Sequence, residues 1–343
     1  MFGLDLRKGI VAFLIIIGVY GILFSFVGVD QLTAAIQSAN LTLLCSVIGA
    51  VLGWLLAWSM ALRTILGTLD INISRMRGFL VLAAATFFNN ITPFGQAGGE
   101  PVTAHLISQS TDSEYETGLA AITSFDTLNF IPSTLFAVSG VGYFFVTSTL
   151  HGVLGITAIA VVILAVAVPS LLFAGWQLRD KFTQIIVDRL TPVLKAASRN
   201  LPWVSPISES GMRRRIEAFF KSIERVATDR RSLTLSLGYS TVGWLLQILG
   251  LWMAFRAIGH GIPIYVALFA VPIASIAGVT PLPGGAGAIE GVLIALLTVL
   301  MPTLGVKVIT TAVIIFAGTS YWVPVLLGGA AASLFTTRNF TPS

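Results

Sequence analysis

Charge is scarce in this chain. Only 10% of its 343 residues are Asp, Glu, Lys or Arg, against roughly 25% in a soluble domain. That scarcity excludes a water-soluble enzyme, and no segment resembles a nucleic-acid-binding fold. Cysteine is scarcer still: Cys45 stands alone, so no disulfide can close within the chain. The three histidines, His105, His151 and His260, lie far apart, and no pair has HxxxH-type ligand spacing. No nucleophile–base pair is visible either. The chain is therefore read as a non-enzyme with no catalytic residue, no metal and no cofactor.

What the chain has instead is apolar length. Hydrophobic residues make up 55% of it, and several stretches run near the roughly 20 residues that cross a bilayer. The expected fold class is an all-α polytopic membrane protein of about eight membrane segments, including two re-entrant helical hairpins. Residues 1–343 form a single membrane domain. Its first half is 1–149, with a hairpin at 79–110. Its second half is 150–335, with a basic insert at 177–233 and a hairpin at 262–301. Arg7 and Lys8 precede a long apolar core without a small-x-small cleavage site, which reads as a retained first helix and not a signal peptide. Leu41 to Leu62 reads as a second helix, with Gly49 and Gly53 in GxxxG spacing.

The hairpin expectation comes from length. Phe79 to Phe88 is apolar over ten residues, about 15 Å of helix, which is half a bilayer core. The basic residues then orient the chain. Arg179 to Arg231 holds 12 basic and 6 acidic residues, the mark of a cytoplasmic segment facing anionic lipid. Within it Ile216, Phe219, Phe220, Ile223 and Val226 share one helical face, as in a helix lying on the membrane surface. Both termini fall in the cytoplasm of a multi-pass protein of the cell membrane. The charges agree only if each hairpin enters and leaves on one face, the first from the cytoplasm and the second from outside.

The two interruptions resemble each other. The first reads ITPFGQAGGEP and the second VTPLPGGAGAIEG, with Thr92 and Thr280 188 residues apart. Each runs from an aliphatic residue, Thr and Pro through Gly and Ala to a glutamate. With each half reading helix, helix, hairpin, helix, this predicts an inverted-topology repeat with a site near the midplane. The candidate substrate-binding residues are Thr92, Pro93, Gly98, Gly99, Glu100, Asp126, Asn129, Pro281, Gly284, Gly285, Gly287 and Glu290. Glycines let backbone approach a ligand. Pro101 suits the first turn of a helix starting after Gly99, and N–H groups at such a start bind phosphate, as could those near Gly287. The acids either bind a cationic head group, relay protons, or cap their own helices. Asn89 and Asn90 precede the first loop and would line the same cavity.

At TPFGQAGGEPVTAHL, Thr92 to Leu106, and PLPGGAGAIEG, Pro281 to Gly291, the sequence resembles the lysylphosphatidylglycerol synthase transmembrane region, or flippase-like domain family. The spacing of apolar segments fits from about Leu6 to Phe335. The resemblance implies an eight-segment fold with two re-entrant elements and a lipid-translocating role. It also implies that the aminoacyl-transferase domain of the best-known members is absent. Two departures stand out. Thr103 occupies a position that is often basic in the family, and SFDTLN offers Asp126 and Asn129 but no Arg.

The expected function is a lipid flippase-like transporter. It would move a phospholipid or lipid-linked head group, phosphate-bearing by its glycine-loop chemistry, between leaflets through a cavity formed by the two loops. The alternatives are a proton-coupled exporter of a small soluble substrate and an accessory membrane partner of a separate lipid synthase or glycosyltransferase. Expected partners are membrane lipids and no nucleic acid, with a homo-oligomer compatible with either reading.

Overall fold

The computed structural model describes residues 17–25, 27–92, 96–111, 113–147, 153–181, 183–189 and 208–338. They form helices and connecting turns, with no strand among them. Helix α1 covers residues 17–25. It is followed by α2 (Val29–Ser38), α3 (Leu41–Thr68), α4 (Arg75–Ile91), α5 (Gln96–Thr111), α6 (Tyr115–Thr147) and α7 (Val153–Gln177). Then come α8 (Arg179–Arg189), α9 (Glu209–Thr228), α10 (Arg230–Ala257), α11 (Ile264–Ile276), α12 (Ala288–Leu300) and α13 (Val306–Arg338). Polar side chains start the helices where the apolar pattern begins. Asn40 Oδ1 accepts from the Leu43 N–H at 3.2 Å, and Asp229 Oδ1 accepts from the Arg231 and Ser232 N–H groups at 3.0 and 3.1 Å.

Four helices among the described residues are long and apolar enough to cross a bilayer: Leu41–Thr68, Arg230–Ala257, Pro283–Leu300 and Val306–Phe335. A fifth arises if Val161–Gln177 and the bent continuation Arg179–Arg189 form one span. Pro283–Leu300 reaches that length only through the turn at its start, where Gly284 has φ 60°. Its regular part, α12, has 13 residues, about 20 Å of helix, short of the roughly 30 Å core. The described residues thus account for four or five of the expected eight spans.

Two hydrophobic cores organise the bundle, each built around one hairpin. One gathers Leu62, Ile65 and Leu66 of α3, Val81 to Phe88 of α4, Ile107 of α5, Phe125 of α6 and Ala331 near the end of α13. The other gathers Val47 near the start of α3, Phe255 of α10, Phe269 of α11, Leu293 of α12 and Ile309 near the start of α13. The same long helices therefore give opposite ends to the two cores, and the two hairpins sit at opposite ends of the bundle. Trp58 packs on both cores, edge-on to Trp54, Phe125 and Trp244.

Three details depart from the sequence expectations. The second helix continues past Leu62 to Thr68, carrying Arg63, whose Nε donates to the Ile73 carbonyl at 2.8 Å. Helix α5 begins at Gln96, so Pro101 lies inside it and not in its first turn. Part of the apolar face of α9 meets protein: Val226 is buried in the core around the first hairpin, and Phe220 packs on Trp176. Of the GxxxG pair only Gly53 meets a neighbour, Leu246, while Gly49 faces open space.

Two ion pairs tie α9 to the ends of the first hairpin, Arg225 to Asp70 at 2.7 Å and Arg215 to Glu116 at 3.1 Å. The hydrogen bond and the charge of Arg225 hold the Asp70 carboxyl below its ordinary range. A lowered carboxylate contributes fully above its ordinary pKa and loses that contribution as pH falls through the lowered value. The tie is therefore retained at neutral pH and weakens only in strong acid. Both partners are exposed, so its energy is small.

Helices α4 and α13 cross closely at Gly328, where a Cβ would overlap the Ala83 carbonyl and lie 2.6 Å from Phe87 Cβ. At the adjacent Gly329 the nearest atom would be 3.4 Å away. Gly328→Ala should lower the unfolding free energy by about 1–3 kcal/mol through overpacking, while Gly329→Ala stays within about 1 kcal/mol. Thermal unfolding in detergent checks the pair; equal midpoints would mean that the close crossing is absent.

Candidate functional site

The first hairpin lies between α4, which ends at Ile91, and α5, which begins at Gln96. Thr92 closes α4 by donating its hydroxyl to the Phe88 carbonyl at 2.6 Å; Pro93 lies outside the described residues. On the other arm Gly99 sits against Asn89, where any Cβ would overlap the Asn89 side chain. Gly98 lies one position earlier in the opening turn of α5. The hairpin closes this tightly only because Gly99 has no side chain.

That packing places Glu100 toward α6. Its carboxyl and that of Asp126 lie close enough to interact. Two ionised carboxyl groups this close repel each other, so the pair is a place where a proton or a cation can be held. Asp126 Oδ2 and Asn89 Oδ1 are buried without hydrogen-bond partners. Thr103 is buried, with its hydroxyl donating to the Gly99 carbonyl at 3.0 Å. Asn129, expected beside Asp126, turns instead to α10. Its Oδ1 accepts from Ser240 Oγ, and its carbonyl accepts from Trp244 Nε1 at 3.0 Å. One turn of α6 thus serves two neighbours, with the acid toward the first hairpin and the amide toward the bundle.

The second hairpin turns through two short 3-10 segments, Ala277–Val279 and Pro283–Gly285. Pro281 is exposed between them. Gly284, Gly285 and Gly287 have φ of 60°, 68° and 85°, a region costly for residues with a Cβ. Contact forbids a side chain as well: a Cβ on Gly285 would lie 2.6 Å from Gly278 Cα. Gly287 begins α12, and Glu290 folds back so that its Oε2 accepts from the Gly287 N–H at 2.7 Å. Its Oε1 accepts from the Tyr20 hydroxyl at 2.9 Å. Glu290 is 3% exposed. A carboxylate of the chain itself therefore occupies the helix start where phosphate was expected, and Glu290 has the capping geometry.

The two loops meet. Tyr321 of α13 donates its hydroxyl to the Asn90 carbonyl at 3.0 Å. A Cβ on Gly284 would lie 2.9 Å from Tyr321 Cε2 and 3.0 Å from Asn90 Cα. Tyr20, Ala286 and Tyr321 form one buried cluster. Thr280 Oγ1, in the second loop, and Ser320 Oγ, next to Tyr321 in sequence, are buried without hydrogen-bond partners. Tyr20 was not singled out from sequence. The available signal was a phenol inside an apolar run, because a buried hydroxyl needs a partner. Among the described residues no three His, Cys, Asp or Glu side chains are grouped to hold a metal.

Glu290 supports both its own helix start and Tyr20. Glu290→Ala should cost about 2–4 kcal/mol, combining a lost cap with an unpartnered buried hydroxyl. Tyr20→Phe should cost less, and the double variant should fall short of the sum because the pair shares one bond. Strict additivity in thermal unfolding would show that the two side chains act independently.

Residues 9–328 match the family described as the lysylphosphatidylglycerol synthase TM region. Two UPF0104 membrane proteins of Methanothermobacter thermautotrophicus are 28% and 25% identical, over 79% and 78% of this chain and 77% and 78% of their own. One from Pyrococcus horikoshii is 26% identical over 92% of this chain and 94% of its own. No solved structure matches the chain. With a match that spans both hairpins and the helices between them, the chain belongs to the lysylphosphatidylglycerol synthase transmembrane-region family of multi-pass membrane proteins.

Proposed function

We propose that this protein moves a phospholipid or lipid-linked head group between leaflets, through the polar region where its two broken hairpins meet. One observation carries the reading. Two loops from opposite ends of the bundle touch at Asn90, Gly284 and Tyr321, beside the Glu100–Asp126 pair and buried polar atoms without partners. Polar groups at membrane depth are costly unless they line a path or bind a ligand. Membership in a family named for a lipid synthase supports a lipid as cargo.

In this reading Glu100 and Asp126 hold the cationic or hydroxyl part of the head group, or the proton that replaces it. Asn89, Thr280 and Ser320 supply the remaining hydrogen bonds. The loop glycines bring backbone N–H groups to a phosphate. Glu290 and Tyr20 hold the second loop in shape. Rocking of the two halves alternates access. The protein sits in the cell membrane with its basic insert and both termini on the cytoplasmic side, by the distribution of arginine.

A second reading, a proton-coupled exporter of a small soluble substrate, is favoured by the closeness of the two carboxyl groups, Glu100 and Asp126. Proteoliposomes carrying a labelled phospholipid or polyprenyl phosphate separate the two. The wild type should move label between leaflets, Glu100→Gln and Asp126→Asn should each slow it at least about tenfold, as expected for loss of about 1.4 kcal/mol or more, and Cys45→Ser should not change it. No transfer of any lipid by wild type, or transfer untouched by both substitutions, would overturn the proposal.

A further inference from the structure

A groove of about 710 Å³ runs along the lipid-facing side of the bundle between α1, α3 and α13. Gly21 and Phe24 form one wall, Leu44 and Ile48 the second, and Gly318 and Val323 the third. Along α13 it extends from Ile314 to Val323, about 14 Å at 1.5 Å per residue. That is close to the thickness of one leaflet's hydrocarbon, about 15 Å.

The polar atoms described on the groove walls are satisfied from within the protein. Thr319 Oγ1 donates to the Ile315 carbonyl at 2.6 Å, and the Tyr20 hydroxyl is held by Glu290. A polar occupant would find little to bond to here, whereas an alkyl chain loses nothing. The groove uses the early turns of α3 and the first half of α13, the ends that join the core of the second hairpin. The exposed arginines of α9 lie by the other core, so by charge asymmetry the groove belongs to the leaflet away from the cytoplasm. The Tyr20 ring lines the groove while its hydroxyl reaches Glu290 at the start of α12.

From this geometry we infer that the groove seats one acyl chain of a membrane lipid from the leaflet opposite the basic insert. The inference deepens the lipid-translocation reading and rests on it for the role of the head group. The seat itself is a binding site that can be tested without transport.

Gly21 has nothing within 4 Å of an added Cβ, and at Gly318 the nearest atom is Tyr20 Cε1 at 3.8 Å. Larger side chains at these positions should therefore fill the groove and leave the helices intact. Native mass spectrometry of the full chain, purified in mild detergent and titrated with phosphatidylglycerol or phosphatidylethanolamine, provides the readout. Wild type should retain one lipid; Gly21→Leu and Gly318→Leu should cut retention at least tenfold; Gly142→Leu, also facing open space, should not. A diazirine-tailed phospholipid should label wild type within residues 17–24 or 314–323, which keeps the test decisive if a leucine variant fails to fold. Equal retention in all variants, label found only elsewhere, or a dimer lost in Gly318→Leu with no lipid retained would overturn the seat, the last by showing a second copy in the groove. Retention in the expected pattern without leaflet transfer would leave the seat standing and sink the transport reading; transfer unaffected by the leucine variants would do the reverse.

Discussion

The bilayer interior offers no water to an unpaired backbone group, and the rest of this structure follows from that constraint. Each hairpin breaks its helix, and each break frees N–H and C=O groups that the protein must satisfy itself. At the first break the Thr92 hydroxyl turns back onto the Phe88 carbonyl, and Tyr321 caps the Asn90 carbonyl. At the second, Glu290 takes the Gly287 N–H and is itself held by Tyr20. The satisfying groups come from both ends of the chain, from α1 and α13. The first and last described helices are therefore part of the site and not merely its outer wall.

The two glutamates look equivalent in the sequence repeat and differ in the fold. Glu290 accepts two hydrogen bonds and is almost wholly buried. Glu100 is the fifth residue of α5, beyond the reach of the helix start, and faces Asp126. Glu290 is the third residue of α12, where a cap on the Gly287 N–H is geometrically available; at the fifth residue of α5 it is not. In the proposed cycle the charge-dependent step therefore falls on the first hairpin, while the second is the fixed wall against which it works.

Much of the architecture was readable from composition and pattern. Too little charge for a soluble domain, apolar runs of spanning length and two Thr-Pro loops ending in glutamate led to an all-α membrane bundle with paired hairpins. Side-chain destinations were less readable. Asp126 and Asn129 lie three residues apart and so seemed to share a face, yet one faces Glu100 of α5 and the other bonds to α10. Spacing along one helix gives a direction but not the neighbour found there. Pro101 suggested a helix start because proline is tolerated in the first turn, but an internal proline costs less when surrounding groups can take up the freed carbonyl. The face of α9 was read correctly as apolar and assigned to lipid. Periodicity cannot distinguish an apolar surface of lipid from one made by the protein, such as Trp176 against Phe220.

The departures from the family pattern bear on the cargo. Thr103 stands where the family often has a basic residue, and its hydroxyl is already committed to the Gly99 carbonyl. Asn129 is likewise committed to Ser240 and Trp244. Neither position leaves a missing charge to be filled from solution; both have been absorbed into the packing. What remains beside the first loop is a pair of acids and an amide oxygen, all acceptors unless protonated. Such a set pairs with ammonium or hydroxyl donors more readily than with a second anion. A head group entering here would lead with its donor end toward Glu100 and Asp126. Its phosphate would then have to lie away from this carboxyl pair.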